Sequence, residues 1–186
     1  MELYMIRHGM TKGNLERRYI GRTDEDICEE GRQALGRLSL AQCEIIAASP
    51  MKRCIETARI LWPGKEPIVC SDFRECDFGD FEGKNYEDLN GREDYQRWID
   101  SFGALPFPGG EDPARFRERC IRAFEELMEI CSGCESLGLA VHGGTVMALM
   151  ERFAEPRKGY YDWQVPCAGG FHCRIGGGTF TVLEKI

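Results

Sequence analysis

Two histidines and an arginine stand out by their type and by what flanks them. Arg7-His8-Gly9 and His142-Gly143-Gly144 each put a histidine directly after a short apolar run and directly before a glycine. Arg53 falls a few residues after another apolar run, Ile45 to Ala48. Histidine can move a proton, or attack as a neutral nucleophile, near neutral pH. The planar fork of arginine matches the oxygens of a phosphate or carboxylate. Brought together, three such groups suit chemistry on a small anion.

The elements that must position them can be read along the chain. Leu3 to Ile6 suits a buried strand, and Gly9 allows a sharp turn after it. A helical segment is expected from about Thr11, then an irregular loop over residues 19 to 28, then a helix from about Glu29 with Ala34, Leu35 and Leu38 on one face. Ile45 to Ala48 is a second strand. Ser49-Pro50 reads as the N-cap and first residue of the helix that carries Arg53, Ile55, Ala58, Ile60 and Leu61. Ile68 to Cys70 is a third strand. Residues 72 to 111, rich in glycine, aspartate and aromatics, read as an inserted cap-like excursion with short helices at most, near Tyr86–Leu89 and Tyr95–Ser101. Asp112-Pro113 opens the clearest helix, whose apolar residues Phe116, Cys120, Phe124, Leu127 and Cys131 recur at helical spacing. Leu137 to Val141 is a fourth strand, Thr145 to about Phe153 a helix, and Phe171–Ile175 with Thr179–Leu183 a hairpin across Gly176-Gly177-Gly178.

Strands alternating with helices predict one α/β domain over residues 1–186, a three-layer sandwich around a mostly parallel sheet. Ligands of such sheets bind beyond the carboxyl ends of the strands. His8, His142 and Arg53 should therefore converge on one edge.

Bulk properties narrow the classes. Hydrophobic residues make up 42% and charged residues 30% of the 186, ordinary globular values at which a sizeable core can form and disorder is not expected. A formal net charge of −7 argues against nucleic-acid binding, though not against a small anion met by focused arginines. No apolar run is long enough to span a membrane, and the start lacks the pattern of a signal peptide, so a cytoplasmic location is expected. The ten cysteines then read as reduced, mostly buried thiols. Cys131 and Cys134 form one CxxC, but Cys167 and Cys173 do not repeat its spacing as a zinc site would.

Five blocks in order carry a resemblance. They are Arg7-His8-Gly9-Met10-Thr11 with Asn14; Gly21-Arg22-Thr23-Asp24 with Glu29-x-Gly31-x-Gln33-Ala34; Ser49-Pro50-x-x-Arg53-x-x-x-Thr57-Ala58; Glu75 before Asp77-Phe78-Gly79-Asp80-Phe81-Glu82-Gly83; and His142-Gly143-Gly144. Together they resemble the histidine phosphatase superfamily, which includes the cofactor-dependent phosphoglycerate mutases. The resemblance implies a phosphoglycerate mutase-like fold and a phosphomonoesterase that needs neither metal nor cofactor. His8 would be the nucleophile, Arg7, Arg53 and His142 would stabilise the transferring phosphoryl group, and Glu75 would be the general acid. Asn14, Thr23 and Gly143 would add hydrogen bonds to substrate. Asp24-Glu25-Asp26-Ile27-Cys28-Glu29 departs from the family's Asp-x-Pro-Leu-Thr-Glu, which weakens a loop and a helix cap.

The implied substrate is a small phosphorylated metabolite. Within the family the acidic segment, with Tyr86-x-x-Leu89, Trp98-x-Asp100 and Pro108-Gly109-Gly110-Glu111, is most similar to the alpha-ribazole phosphatases. Sugar-phosphate phosphatase, phosphoglycerate mutase and a non-catalytic phosphate-binding module are the alternatives, and a homodimer is left open. Phe81, Tyr86, Trp98 and Phe107 suit either stacking on a flat base or, more simply, the core of the inserted segment. Arg18 and Arg22 could reach substrate or only solvent, and His172 is expected to face solvent or a neighbour.

Overall fold

Alternation along the first strand divides the molecule into its layers. A computed structural model describes all residues, 1–186. In β1 (Glu2–Arg7) Leu3 and Met5 join one apolar cluster, while Ile6, with Tyr4 against it, joins another. Successive strand side chains point to opposite faces, so both faces of this strand are covered. Chain order continues with α1 (Lys12–Leu15), α2 (Glu29–Gly36), β2 (Ile45–Ala48), α3 (Lys52–Leu61), β3 (Ile68–Val69), α4 (Tyr86–Leu89) and α5 (Glu93–Asp100). It closes with α6 (Pro113–Ile130), β4 (Ser136–Val141), α7 (Gly143–Phe153), β5 (Ala154–Glu155), β6 (Gly170–Gly176) and β7 (Thr179–Lys185).

The strands form one seven-stranded sheet in the order β3-β2-β4-β1-β6-β7-β5. β3, β2, β4 and β1 run parallel, and β6 pairs antiparallel with β1 and β7. One face is covered by α6 and α7, through Phe124, Leu127, Val146 and Leu149. The other is covered by α2 and α3, through Leu35, Cys54, Ala58 and Leu61. This is the predicted three-layer α/β sandwich. A third cluster, Cys76, Phe81, Leu89 and Phe107 against Phe116, Cys120 and Ala148, anchors residues 72–111 on α6 and α7. Buried apolar surface contributes about 25 cal/mol per Å², so these aromatics hold the segment without long helices of its own.

Most element boundaries fall close to expectation, and the departures have local causes. The helix bearing Arg53 starts at Lys52, with Met51 as N-cap, not at Ser49-Pro50. Ser49 instead extends the strand, its N–H donating to the carbonyl of Ala140 at 3.1 Å. The cap is supplied from elsewhere, by Asp24 Oδ1 accepting from the N–H of Lys52 at 2.8 Å. Cys28, at the N-cap of α2, makes no side-chain cap, as loss of the family's threonine implies. Asp112 caps α6 as expected, accepting from Ala114 and Arg115. Gly177 and Gly178, at φ of 58° and 77°, turn the final hairpin in a conformation that favours glycine.

Candidate active site

The site begins with strand register. Arg7 of β1 pairs with Val141 of β4, so His8 and His142 leave neighbouring parallel strands at one level. Their rings meet edge to face with centroids 5.2 Å apart. His8 Nδ1 donates to the carbonyl of Gly9 at 2.8 Å, which leaves Nε2 as the nitrogen free of a protein partner. A carbonyl can only accept, so in the neutral ring the lone pair sits on Nε2. Burial, then the charge of Arg53, pushes His8 well below its ordinary pKa, and Arg7 adds to this against the Gly9 carbonyl. The same causes, with His8 itself, lower His142.

Two arginines bring positive charge to these rings. Arg7 ends β1; its Nη1 donates to the carbonyl of Val165 at 2.8 Å, and its guanidinium lies against Gly143. A Cβ at Gly143 would stand 3.3 Å from Arg7 Nε, so the glycine gives that guanidinium room. Arg53 is wholly buried. Its Nη groups donate to the carbonyls of Thr23 at 2.8 Å and Gly21 at 3.0 Å. The Nε of each arginine is buried without a protein acceptor. Unpartnered buried donors are rare, and beside His8 these two suit an anion or a water.

Glu75 completes the polar group. Its Oε1 accepts from the N–H of Cys76 at 3.0 Å, and its carboxyl lies against Gly144 at the start of α7. Burial raises its pKa, and the backbone bond, Arg53 and Arg7 only partly oppose that. Arg119 braces the backbone here, donating to the carbonyls of Asp72, Arg74 and Glu75 and to the Glu111 carboxylate.

These groups open into a cavity of about 290 Å³. Arg7, His8, Asn14, Glu75, Gly143 and Gly144 form the polar part of its lining. Tyr19, Phe78, Trp98, Phe107, Phe116 and Tyr160 form the aromatic part, with Arg18 and Arg117 among them. Asn14 Oδ1 is occupied by the N–H of Thr11 and the thiol of Cys167, so its amide N–H₂ is the end available to a ligand. His142 and Arg53 sit behind this surface.

Thr23 is not brought to the cavity. Its N–H and hydroxyl both donate to Glu82 Oε1, at 2.9 and 2.8 Å, and only its carbonyl turns inward, to Arg53. Of the four aromatics singled out in the inserted segment, Trp98 and Phe107 line the cavity, Phe81 is core and Tyr86 is exposed. Arg18 lines the cavity and Arg22 pairs with Asp77 outside it. His172 stacks on Tyr4 and bonds Glu2, outside the cavity lining.

Sequence reasoning missed two positioning residues. Ser49 Oγ lies 2.7 Å from His142 Nε2. Thr57 Oγ1 accepts from the N–H of Gly9 at 2.9 Å and donates to the carbonyl of Arg53. Both stand in a quoted motif, but their partners are 93 and 48 residues away, beyond any local signal. Tyr160 and Arg117 were missed for the same reason.

Comparison with known proteins gives the family. The model of the histidine phosphatase superfamily (branch 1) matches residues 3–185. Phosphoglycerate mutase-like protein 4 of Arabidopsis thaliana is 31% identical over 162 residues, covering 81% of this chain and 70% of that one. The adenosylcobalamin/alpha-ribazole phosphatase of Salmonella typhimurium is 24% identical over 192 residues, covering 99% and 90%. Among solved structures, the alpha-ribazole phosphatase of Shigella flexneri shares the fold with a TM-score of 0.87 at 22% identity, covering 100% of this chain and 96% of that one. Phosphoglycerate mutase of Thermus thermophilus gives 0.75 at 30% identity, covering 100% and 98%. With the match running almost end to end, the chain belongs to the histidine phosphatase superfamily, branch 1.

Proposed function

We propose that the protein hydrolyses a small phosphomonoester through a phosphohistidine on His8, and that the physiological ester is alpha-ribazole 5′-phosphate. The observation that carries the mechanism is the tautomer of His8. A buried, neutral imidazole with Nδ1–H tied to Gly9 directs the Nε2 lone pair at a phosphorus atom. Arg7, Arg53 and His142 stabilise negative charge on the transferring group, and Asn14 and the N–H of Gly143 add neutral donors. Thr23 contributes through the carbonyl that holds Arg53. Glu75, with its raised pKa, protonates the leaving oxygen and then takes a proton from the attacking water. Residues 72–111 act as an inserted wall of a single catalytic domain, and their aromatics favour a flat, apolar leaving group over a small acid.

The test is phosphate release in EDTA from p-nitrophenyl phosphate, alpha-ribazole 5′-phosphate, 3-phosphoglycerate, phosphoserine and common sugar phosphates, with His8→Ala as control. A kcat/KM for alpha-ribazole 5′-phosphate about 10²-fold above the others supports the substrate. Preference for another ester removes that substrate and keeps the mechanism. Release that survives in the His8→Ala protein removes the mechanism.

A further inference from the structure

Glu75 faces two openings. Besides the aromatic cavity it lines a second cleft of about 490 Å³, which shares no other residue with the first. Arg22, Arg74, Asp77, Glu111 and Arg119 form most of this second lining, and Met51 is its one apolar residue. Three arginines face Asp77 and Glu111 across it, with Glu75 held toward its acid form. Arg119 is bonded to Glu111 and Arg22 to Asp77. A solvent-open cleft lined mostly by polar and charged residues is filled by water.

The two-step reaction proposed above needs such a route, and the role inferred for the cleft rests on that reading. In the second step a water oxygen bonds to phosphorus while the P–Nε2 bond breaks and its electron pair returns to His8. The water proton passes to the Glu75 carboxylate, which gave its own proton to the leaving oxygen in the first step. That water must reach Glu75 while the alcohol product still fills the aromatic cavity. We infer that the polar cleft is a separate water entrance, by which Glu75 hydrolyses the phosphohistidine before the leaving group departs. The device commits the enzyme to hydrolysis, since a mutase needs the phosphohistidine kept from water until a second acceptor arrives.

Filling the entrance without touching the catalytic groups tests this. Arg74 is exposed and touches neither His8 nor the aromatic cavity. In Arg74→Trp, phosphoenzyme formation from labelled p-nitrophenyl phosphate should keep its rate, while dephosphorylation falls at least about tenfold. An alkaline quench, which phosphohistidine survives, should then show label accumulating on the protein. Arg74→Ala removes the same charge without filling the space and should dephosphorylate at the unmodified rate. Unchanged dephosphorylation in the tryptophan variant, or equal loss in both variants, would overturn the separate entrance. If Arg74→Trp does not fold, Arg74→Phe against Arg74→Ala gives the same readout. Absence of labelled protein from every variant and from the unmodified enzyme on millisecond mixing, with no burst, would instead overturn the phosphohistidine reading itself.

Discussion

At the scale of residues, burial sets the protonation states of the two groups on which the proposed chemistry depends. His8 is kept neutral by burial and by Arg53, and Glu75 is held toward its acid form by burial. The nucleophile should therefore stay competent well below pH 6.5, the ordinary value for histidine. The acid form of Glu75 persists above its ordinary 4.5 and is lost as pH rises through its raised pKa. For an alkyl phosphate, kcat/KM should accordingly decline on the alkaline side, with no acid limb near pH 6.5; an acid limb there would mean that His8 titrates normally. Glu75→Gln should slow alkyl phosphates by about 10²-fold or more and p-nitrophenyl phosphate far less, because nitrophenolate leaves without a proton. Equal losses for both esters would assign the acid role to another group.

At the scale of elements, the decisive pieces are the ends of β1, β2 and β4. Ser49 and Asp112 both precede a proline and look alike as helix starts. In the structure only Asp112 caps a helix, while Ser49 bonds His142. The two should answer differently to truncation. Asp112→Ala should cost about 1 kcal/mol of stability, read by urea unfolding, with kcat/KM within about twofold of the parent. Ser49→Ala leaves His142 Nε2 with only the Cys54 thiol, a weak partner at 3.5 Å, and should lower kcat/KM about tenfold or more, with Ser49→Thr restoring most of it. If Ser49→Ala only destabilised, its bond to His142 would have no part in turnover. The loop of residues 20–23 is the other working element. Glu82 fixes it from outside through Gly21 and Thr23, and its carbonyls hold Arg53 on the inside.

At the scale of the whole molecule, the site is set into the core, so the fold bears the cost of its protonation states. Unfolded, His8 and His142 take up protons near pH 6.5; folded, both stay neutral far below it. Their contribution to stability is complete above that value and is lost as pH falls beneath it. The thermal midpoint should drop between pH 7.5 and 5.5, before most carboxylates titrate, and His8→Asn should shallow the drop. An unchanged midpoint over that range would mean the rings charge without unfolding. Burial also pushes the thiols of Cys54, Cys120 and Cys173 to about 12, which makes them inert packing. No helix is long and apolar enough to cross a membrane. Sequence alone determined the sandwich and the meeting of His8 with His142, because alternation, helical periodicity and the carboxyl-edge rule are local signals with one topological consequence. Only the tertiary structure decided that Ser49 serves a histidine, that Thr23 turns its carbonyl and not its hydroxyl inward, and that Glu75 stands between two openings. Each of those depends on a partner dozens of residues away, and hydrogen bonds across such distances leave no period in the chain that makes them.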